Sequence, residues 1–186
     1  VLIPRPETEI LVDYINNNFS SALKVLDAGT GSGCIGISIA LKNSKFDVYG
    51  SDYSIDSLCV AAKNKKTLRS KNFSLIHANW LSCFKINSFD LIVSNPPYIG
   101  NHDPHLCNLS HEPNQALVAS DNGLRDIKSI VKQSTKVLKR GGMLILEHGY
   151  QQQKEVKNIF KDYRFSKIVN LKDFQGHPRI TLGTLR

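Results

Sequence analysis

The four residues Asn95-Pro96-Pro97-Tyr98 have the chemistry of a site for a planar amide or amine. An asparagine side chain offers one acceptor and two donors, and the tyrosine supplies a flat ring beside it. The segment follows the apolar run Leu91-Ile92-Val93, which is typical of a buried strand. Because two prolines cannot continue a strand's hydrogen-bond ladder, the backbone must leave the sheet here. The pattern predicts an amide and a ring presented to a crevice; the alternative is a rigid turn that only ends the strand.

A glycine-rich loop follows the first predicted strand, in Asp27-Ala28-Gly29-Thr30-Gly31-Ser32-Gly33-Cys34. Glycines allow positive φ and a close approach of the backbone to a ligand. Alone, the loop fits a dinucleotide, a nucleoside or merely a tight turn. Asp52 ends the second predicted strand, 19 residues after Gly33. A carboxylate at that place can accept hydrogen bonds from ribose hydroxyls; the alternatives are a helix cap or a solvated strand end.

The surroundings of the loop favour a nucleoside cofactor over NAD or ATP. No cluster of lysine or arginine accompanies the loop to neutralise a pyrophosphate, and no Walker lysine is present. Trp80, the only tryptophan, follows the third predicted strand. It would either flank an adenine in the same crevice or pack in the core.

The elements that must position these residues alternate between strand and helix. Predicted strands are Lys24–Ala28, Asp47–Ser51, Ser74–Ala78, Asp90–Ser94, Met143–Glu147, Ser166–Asn170 and Arg179–Gly183. Predicted helices are Glu7–Asn16, Gly33–Leu41, Ile55–Thr67, Leu124–Leu138 and Gln151–Ile159. This alternation predicts an α/β fold with a mainly parallel sheet and helices on both faces.

The connection between the last two strands predicts an exception to the parallel arrangement. Only Leu171–Pro178 separates them, which is too short for a crossover helix, so they should pair antiparallel. Ligands in open sheets of this type bind beyond the carboxyl ends of the strands, at the switch point. That rule places the ends of the first, second and fourth strands around one crevice.

Composition is that of one globular domain. The chain has 186 residues and 41% hydrophobic content, and it shows neither a signal peptide nor an apolar run of membrane length. Four cysteines without a CxxC pair fit thiols in a reducing compartment. The net charge of +8 is compatible with contact to RNA or an acidic protein surface, or with a solvated lysine-rich surface.

Several further segments give the chain a family likeness. It resembles the class I, S-adenosylmethionine-dependent methyltransferases, and within them the release-factor glutamine N5-methyltransferases (PrmC/HemK), over nearly its whole length. The matching segments are Ile3–Glu9, Asp27–Ile35, Asp90–Ile99, His111–Pro113, Asp121–Leu124, Gly141–Gly149 and Asp173–Arg179. Adenine N6 methyltransferases share the Asn-Pro-Pro-Tyr tetrad. The opening Ile-Pro-Arg-Pro-Glu-Thr-Glu favours the release-factor branch, because sister enzymes acting on a ribosomal protein glutamine usually differ there.

The resemblance implies a Rossmann-like fold with a seven-stranded, mostly parallel sheet and one antiparallel strand near the C-terminus. It implies that S-adenosyl-L-methionine is the cofactor and S-adenosyl-L-homocysteine the product. The implied cofactor-binding residues are Gly29, Thr30, Gly31, Ser32, Gly33, Asp52, Trp80 and Asn95. The implied substrate is the glutamine of the Gly-Gly-Gln motif of peptide chain release factors, bound by Asn95, Pro96, Pro97 and Tyr98.

Asn95, Pro96 and Tyr98 are the expected catalytic residues. An amide nitrogen is a poor nucleophile, because its lone pair is delocalised into the carbonyl. We hypothesise that the Asn95 side-chain oxygen and the Pro96 carbonyl accept the two hydrogens of the substrate amide. Tyr98 would pack against the flat group. Alignment of this kind lowers a barrier without a strong general base.

The chain departs from the family pattern in two places. Asn79 stands where family members usually carry an acidic residue before the tryptophan. We expect the family's helical N-terminal domain, which helps to recognise the release factor, to be absent from residues 1–186, either cut away or supplied by residues outside this chain. Residues 1–186 are therefore expected to be the catalytic domain. The missing signal peptide and the release-factor resemblance predict a cytoplasmic location, and we expect a monomer without membrane contact.

Other readings of individual residues stay open. His102, His105, Cys107 and His111 could ligate Zn²⁺, although their spacing matches no common zinc pattern and a polar substrate-side loop is favoured. Arg5, Glu7 and Glu9 either contact substrate or complement the start of the first helix. Glu147 is assigned no chemistry.

Two other functions compete with the release-factor reading. One is methylation of an exocyclic amine on nucleic acid, which the positive charge favours and the lack of a target-recognition insert disfavours. The other is a degenerate methyltransferase fold that only binds or assembles. The complete glycine loop, Asp52 and tetrad argue against it.

Overall fold

The structure, a computed structural model, describes residues 6–99 and 120–186. Its α-helices are α1 (Pro6–Asn18), α2 (Cys34–Lys42), α3 (Ile55–Thr67), α4 (Arg125–Val137) and α5 (Gln153–Asp162), with a short 3-10 helix at Tyr150–Gln152. Its strands are β1 (Lys24–Ala28), β2 (Asp47–Asp52), β3 (Phe73–His77), β4 (Phe89–Ser94), β5 (Leu138–Glu147), β6 (Phe165–Lys172) and β7 (Pro178–Leu185).

The strands form one sheet in the order β3-β2-β1-β4-β5-β7-β6. Strands β1 to β5 pair parallel, and β7 lies antiparallel between β5 and β6. The predicted fold, including the antiparallel strand near the C-terminus, is therefore confirmed. Because β1 lies between β2 and β4, the carboxyl ends of these three strands lie side by side, as the switch-point rule predicts.

Alternate residues of the central strands face two separate cores. Val25 and Leu91 belong to the cluster that includes buried residues of α1 and α2. Their neighbours Leu26 and Ile92 belong to the cluster that includes buried residues of α4 and α5. This period of two is what a strand buried on both faces requires, and each such side chain contributes about 1.5–3 kcal/mol by leaving water.

The structure shifts several predicted boundaries, most of all in β5. We expected helix to Leu138 and strand from Met143, whereas α4 ends at Val137 and β5 already begins at Leu138. Leu138 pairs with Phe89, and the register then shifts before Leu91 pairs with Met143. Gly141 has φ +79°, so the glycine pair, which lies between the predicted helix and the predicted strand, permits an irregularity within β5.

No helix within residues 6–99 and 120–186 is long and apolar enough to cross a membrane.

Candidate active site

The tetrad leaves β4 beside the glycine loop that leaves β1. Val93 is paired with Asp27, so the two strands end next to each other. The Ser94 hydroxyl donates to the Ala28 carbonyl at 2.5 Å, which ties the two strand ends together. Asn95 follows directly and is half-buried. The structure thus brings the predicted amide group and the predicted cofactor loop to one edge of the sheet.

The glycine loop turns sharply before α2. The backbone N–H groups of Gly29 and Thr30 both donate to the Ser51 carbonyl, at 2.8 and 2.9 Å. Gly29, Gly31 and Gly33 have φ values of +75°, +56° and +81°. Such values favour glycine strongly, and they leave the backbone without side chains on the ligand side.

Asp52 holds the loop from the neighbouring strand. One carboxylate oxygen accepts from the Gly31 N–H at 2.8 Å, and the other accepts from the Ser54 N–H at 2.8 Å. The side chain therefore has a local turn-forming role, whereas the helix cap, an alternative reading of Asp52, is supplied by Ser54, whose hydroxyl accepts from the Ser57 N–H. Its position at the end of β2 also suits a ribose, and that contact stays a prediction.

Asp27 is a buried carboxyl beneath the loop that sequence reasoning did not assign. It accepts from the Thr30 hydroxyl at 2.6 Å and from the Gly36 N–H at 2.9 Å. Burial raises its pKa to about 6, with a smaller contribution from Asp52. Thr30 gives its hydroxyl proton to Asp27 and its N–H to the Ser51 carbonyl, and its predicted cofactor contact stays a prediction. The Ser32 backbone carbonyl accepts a hydrogen bond from the Asn64 side-chain amide at 2.9 Å.

Trp80 lies against the glycine loop and the core at once. A Cβ on Gly29 would come within 2.7 Å of its ring, so this glycine is needed for the close approach. Trp80 is half-buried against the core cluster that includes residues of α4, and its side chain donates a hydrogen bond to Asp126. Burial raises the pKa of Asp126. Core packing is thus realised, and contact with an adenine stays a prediction.

A buried hydrogen-bond chain lies behind the tetrad. Thr8 of α1 donates its hydroxyl to Glu147 Oε2 at 2.9 Å, and Asn95 Nδ2 donates to Thr8 Oγ1 at 3.4 Å. Tyr98 donates its hydroxyl to Glu147 Oε1 at 3.3 Å. Glu147, the last residue of β5, is only 1% exposed. We assigned it no chemistry from sequence, and the structure places it in contact with the tetrad.

Gln152 hydrogen-bonds to Tyr98, the last residue of the tetrad. Its Nε2 donates to the Tyr98 carbonyl and to the Asn122 carbonyl, both at 2.9 Å, and its Oε1 accepts from the Gly149 N–H at 2.9 Å. Gly123 lies so close that a Cβ there would be 2.0 Å from the Tyr98 carbonyl oxygen. Sequence reasoning missed both residues, because only the tertiary fold brings them to the tetrad.

Other predicted candidates contribute less or lie outside the described residues. Arg5 and the cluster formed by His102, His105, Cys107 and His111 belong to the latter group, as does the side chain of Glu7. Glu9 is exposed in the first turn of α1. Within the described ranges no group of three His, Cys, Asp or Glu residues could hold a metal.

The site fits the parts of S-adenosylmethionine. A glycine loop with positive φ at three positions leaves room for the methionine portion, and the loop contains no lysine or arginine that would select a phosphate. Asp52 offers carboxylate oxygens for ribose hydroxyls at the next strand end.

Comparison with solved structures identifies the fold. A ribosomal protein L11 methylase from Lactobacillus delbrueckii subsp. bulgaricus superposes with a TM-score of 0.73 at 20% identity, covering 99% of this chain and 80% of that chain. A methyltransferase from Pyrococcus furiosus has a TM-score of 0.73 at 17% identity, with coverages of 98% and 83%. A family model described as a methyltransferase domain matches residues 19–177.

Release factor glutamine methyltransferases are similar along nearly the whole chain. Those of Salmonella typhimurium and Escherichia coli are 37% identical over 185 residues, and that of Buchnera aphidicola subsp. Schizaphis graminum is 40% identical over 188. Each alignment covers 98% of this chain and 67% of the relative, so the chain spans about two thirds of their length. The fold and the site define a class I methyltransferase that uses S-adenosylmethionine as methyl donor. Within that class, the chain belongs to the release factor glutamine methyltransferase family.

Proposed function

We propose that this chain transfers a methyl group from S-adenosylmethionine to the side-chain amide nitrogen of the glutamine in the Gly-Gly-Gln motif of peptide chain release factors. The observation that carries the proposal is the juxtaposition of the tetrad with the glycine loop. Val93 and Asp27 are paired neighbours, so an amide held by the tetrad lies beside the loop that would hold the donor. The names of the family's relatives support the choice of acceptor.

The cofactor, when bound, supplies a methyl group already activated by a sulfonium centre. Gly29 to Gly33 would hold its methionine portion through backbone groups, Asp52 would bind its ribose, and Trp80 would border the adenine side. Asn95 would lie between cofactor and substrate.

The tetrad's task is to orient and polarise the glutamine amide. The Asn95 side-chain oxygen and the Pro96 carbonyl would accept its two hydrogens, and the Tyr98 ring would pack against its plane. Two acceptors on one nitrogen draw electron density toward it and fix its lone pair in line with the methyl carbon. In the transfer the amide nitrogen would form a bond to the methyl carbon as the carbon–sulfur bond breaks, S-adenosylhomocysteine would leave with that electron pair, and the nitrogen would release one proton to water. One such preorganised acceptor is worth about 3 kcal/mol of barrier lowering.

The same proposal covers organisation and location. Residues 1–186 would act as one catalytic domain, and the isolated chain would be a monomer. The reaction would take place in the cytoplasm, because release factors act on ribosomes there.

The test is methyl transfer to separate acceptors. The chain is incubated with methyl-labelled S-adenosylmethionine and, in separate tubes, release factor, ribosomal protein or RNA, while cofactor binding is measured by calorimetry. We expect label on the release factor, located at the Gly-Gly-Gln glutamine by tandem mass spectrometry. A release factor with that glutamine changed to alanine should stay unlabelled.

Label on RNA alone would show that the methyl acceptor is a base amine and not the glutamine amide. Measurable cofactor binding without label on any acceptor would instead indicate a fold that has kept the donor site and lost the transfer.

A further inference from the structure

We propose that Thr8 and Glu147 are positioning residues that determine which way round the Asn95 amide faces. Their hydrogen bonds turn the Asn95 NH₂ group inward, so that the amide oxygen is offered to the substrate. The claim that this oxygen accepts a hydrogen bond from a substrate amide rests on the proposed function, whereas the direction of the hydrogen bonds among the three side chains does not.

The three residues come from elements far apart in the sequence. Thr8 lies in α1 and is 6% exposed, and Glu147 ends β5 and is 1% exposed. Asn95 follows β4. The Thr8 hydroxyl lies between the other two side chains, 2.9 Å from Glu147 Oε2 and 3.4 Å from Asn95 Nδ2.

The direction of each hydrogen bond follows from the groups involved. A carboxylate can only accept, so the single hydroxyl proton of Thr8 goes to Glu147. The Thr8 oxygen then has only lone pairs to offer Asn95, and it must accept from the NH₂ branch of the amide. The oxygen branch of Asn95 consequently faces away from Thr8. The opposite order would leave a buried carboxylate oxygen facing a lone pair, which is costly in a dry site.

Glu147 also fixes the other end of the tetrad. Its Oε1 accepts from the Tyr98 hydroxyl at 3.3 Å, while its Oε2 serves Thr8. One buried carboxylate therefore sets both the amide orientation of Asn95 and the place of the Tyr98 ring. Pro96 and Pro97 restrict the backbone between them.

The orientation decides whether the site can bind a substrate amide. An outward oxygen can accept one hydrogen of the substrate NH₂ group. A flipped Asn95 would set its own NH₂ against that of the substrate, where neither group can accept. A flip would thus impair alignment of the nitrogen without disturbing the glycine loop.

The central variant is Glu147→Gln, which keeps the shape of the side chain but adds donors. Its amide NH₂ can donate to Thr8, whose proton is then available for Asn95 Oδ1, so the flipped amide is stabilised. We expect kcat to fall at least tenfold, with the Kd for S-adenosylmethionine within twofold of wild type. Glu155→Gln on the exposed face of α5 controls for the lost negative charge.

Two variants of Thr8 separate the hydroxyl from the packing of the side chain. Thr8→Val keeps the volume and removes the link, so we expect a similar loss of kcat. Thr8→Ser keeps the hydroxyl and should restore most of the kcat lost in Thr8→Val. Equal losses in both Thr8 variants would overturn the proposal.

The second readout needs no methyl acceptor, and it therefore separates failure of this inference from failure of the proposed function. The side-chain NH₂ resonances of Asn95 are followed by ¹⁵N NMR in the full chain with bound cofactor. We expect them to move and exchange faster with solvent in Glu147→Gln and Thr8→Val, and to stay near wild type in Thr8→Ser. Unchanged Asn95 resonances in Glu147→Gln would overturn the proposal, whatever happens to kcat.

Discussion

Asn95 is the residue on which the proposed chemistry depends most directly. Its NH₂ group is 3.4 Å from the Thr8 hydroxyl, and it follows a strand whose end is bonded to β1. The side chain is half-buried, so its amide can meet both the protein interior and a ligand. The proposed chemistry requires the hydrogen-bond acceptor of this side chain, its amide oxygen, which no apolar side chain can replace.

Replacing Asn95 by alanine should therefore remove transfer and spare donor binding. We expect Asn95→Ala to lower kcat by about 10²–10³, the range typical for loss of one preorganised polar group. The measurement is labelled-methyl transfer to release factor, with cofactor Kd from calorimetry. Asn158→Ala, at an exposed position on α5, is the matched control. Full activity of Asn95→Ala would refute the assignment.

Gly123 is the second residue with a specific prediction. A Cβ there would meet the Tyr98 carbonyl oxygen at 2.0 Å and Gln152 Nε2 at 2.6 Å, so Gly123→Ala must push the end of the tetrad away. We expect at least a tenfold loss of transfer rate, by the same assay, with donor binding retained.

Gly141→Ala separates this clash from backbone strain. Gly141 has a similar φ, +79° against +82°, but a Cβ there would have nothing within 4 Å. The strain alone costs about 1 kcal/mol. If both variants lose transfer equally, contact with Tyr98 is not the reason.

At the scale of elements, β1 carries a buried carboxyl near its end, beneath the turn into α2, in place of an apolar residue. Asp27 joins the Thr30 hydroxyl and the Gly36 N–H, so it shapes the loop and meets the start of α2. A neighbouring glycine, Gly50, is needed for packing: a Cβ there would be 2.6 Å from the Phe73 ring. The cofactor loop is thus held by polar contacts in a close-packed setting.

The raised pKa of Asp27 predicts a pH-dependent stability. Its pKa is about 6 in the folded protein against 3.8 in the unfolded chain, so the folded state retains the proton longer. The associated stability is complete below pH 3.8 and is lost as the pH rises through about 6, by about 3 kcal/mol. Urea denaturation at several pH values should show this fall in wild type.

Asp27→Asn should remove that fall between pH 4 and pH 6, whereas Asp162→Asn, an exposed carboxyl at the end of α5, should keep it. His148 acts in the opposite sense. Burial lowers its pKa, so its contribution to stability is present above its ordinary pKa of 6.5 and is lost on acidification. The difference between wild type and Asp27→Asn isolates the carboxyl from this imidazole. An unchanged slope in Asp27→Asn would contradict the assignment.

At the scale of the whole molecule, the basic residues are spread along the chain, and one group of them lies at the end of α3. Helix α3 starts at the carboxyl edge of the sheet and ends at the opposite edge. Its end and the following turn carry Lys65, Lys66, Arg69 and Lys71, which line a depression of about 420 Å³, and Lys63 lies two residues before Lys65. Contact of the protein with RNA, compatible with the net charge of +8, is expected at this α3 basic end.

Neutralising two exposed charges there should weaken RNA binding and leave methyl transfer unchanged. For Lys66→Gln with Arg69→Gln, the slope of log K against log salt for single-stranded RNA should decrease by about 1.4, since each phosphate contact contributes about 0.7. Filter binding at several salt concentrations measures it. The control pair is Lys154→Gln with Lys157→Gln on α5. Equal effects of both pairs would show a general charge effect and no patch.

Most of the fold was readable from the order of residues. Apolar runs of strand length alternate with helical segments, and a connection as short as Leu171–Pro178 leaves only antiparallel pairing for β6 and β7. The predicted start of β5 was wrong and its end at Glu147 was right. A glycine pair is typical of a loop, and the sequence does not show that pairing with β4 continues across it.

The sequence by itself determined the fold class, the glycine loop and the tetrad, because each depends on residues adjacent in the chain. Only the tertiary structure decided what surrounds them. Glu147 reads as the end of a strand and Thr8 as a residue of an early helix, until folding brings their side chains within 2.9 Å across 139 positions. Such contacts depend on how α1 packs beside α2 and β5, and no local pattern records that packing.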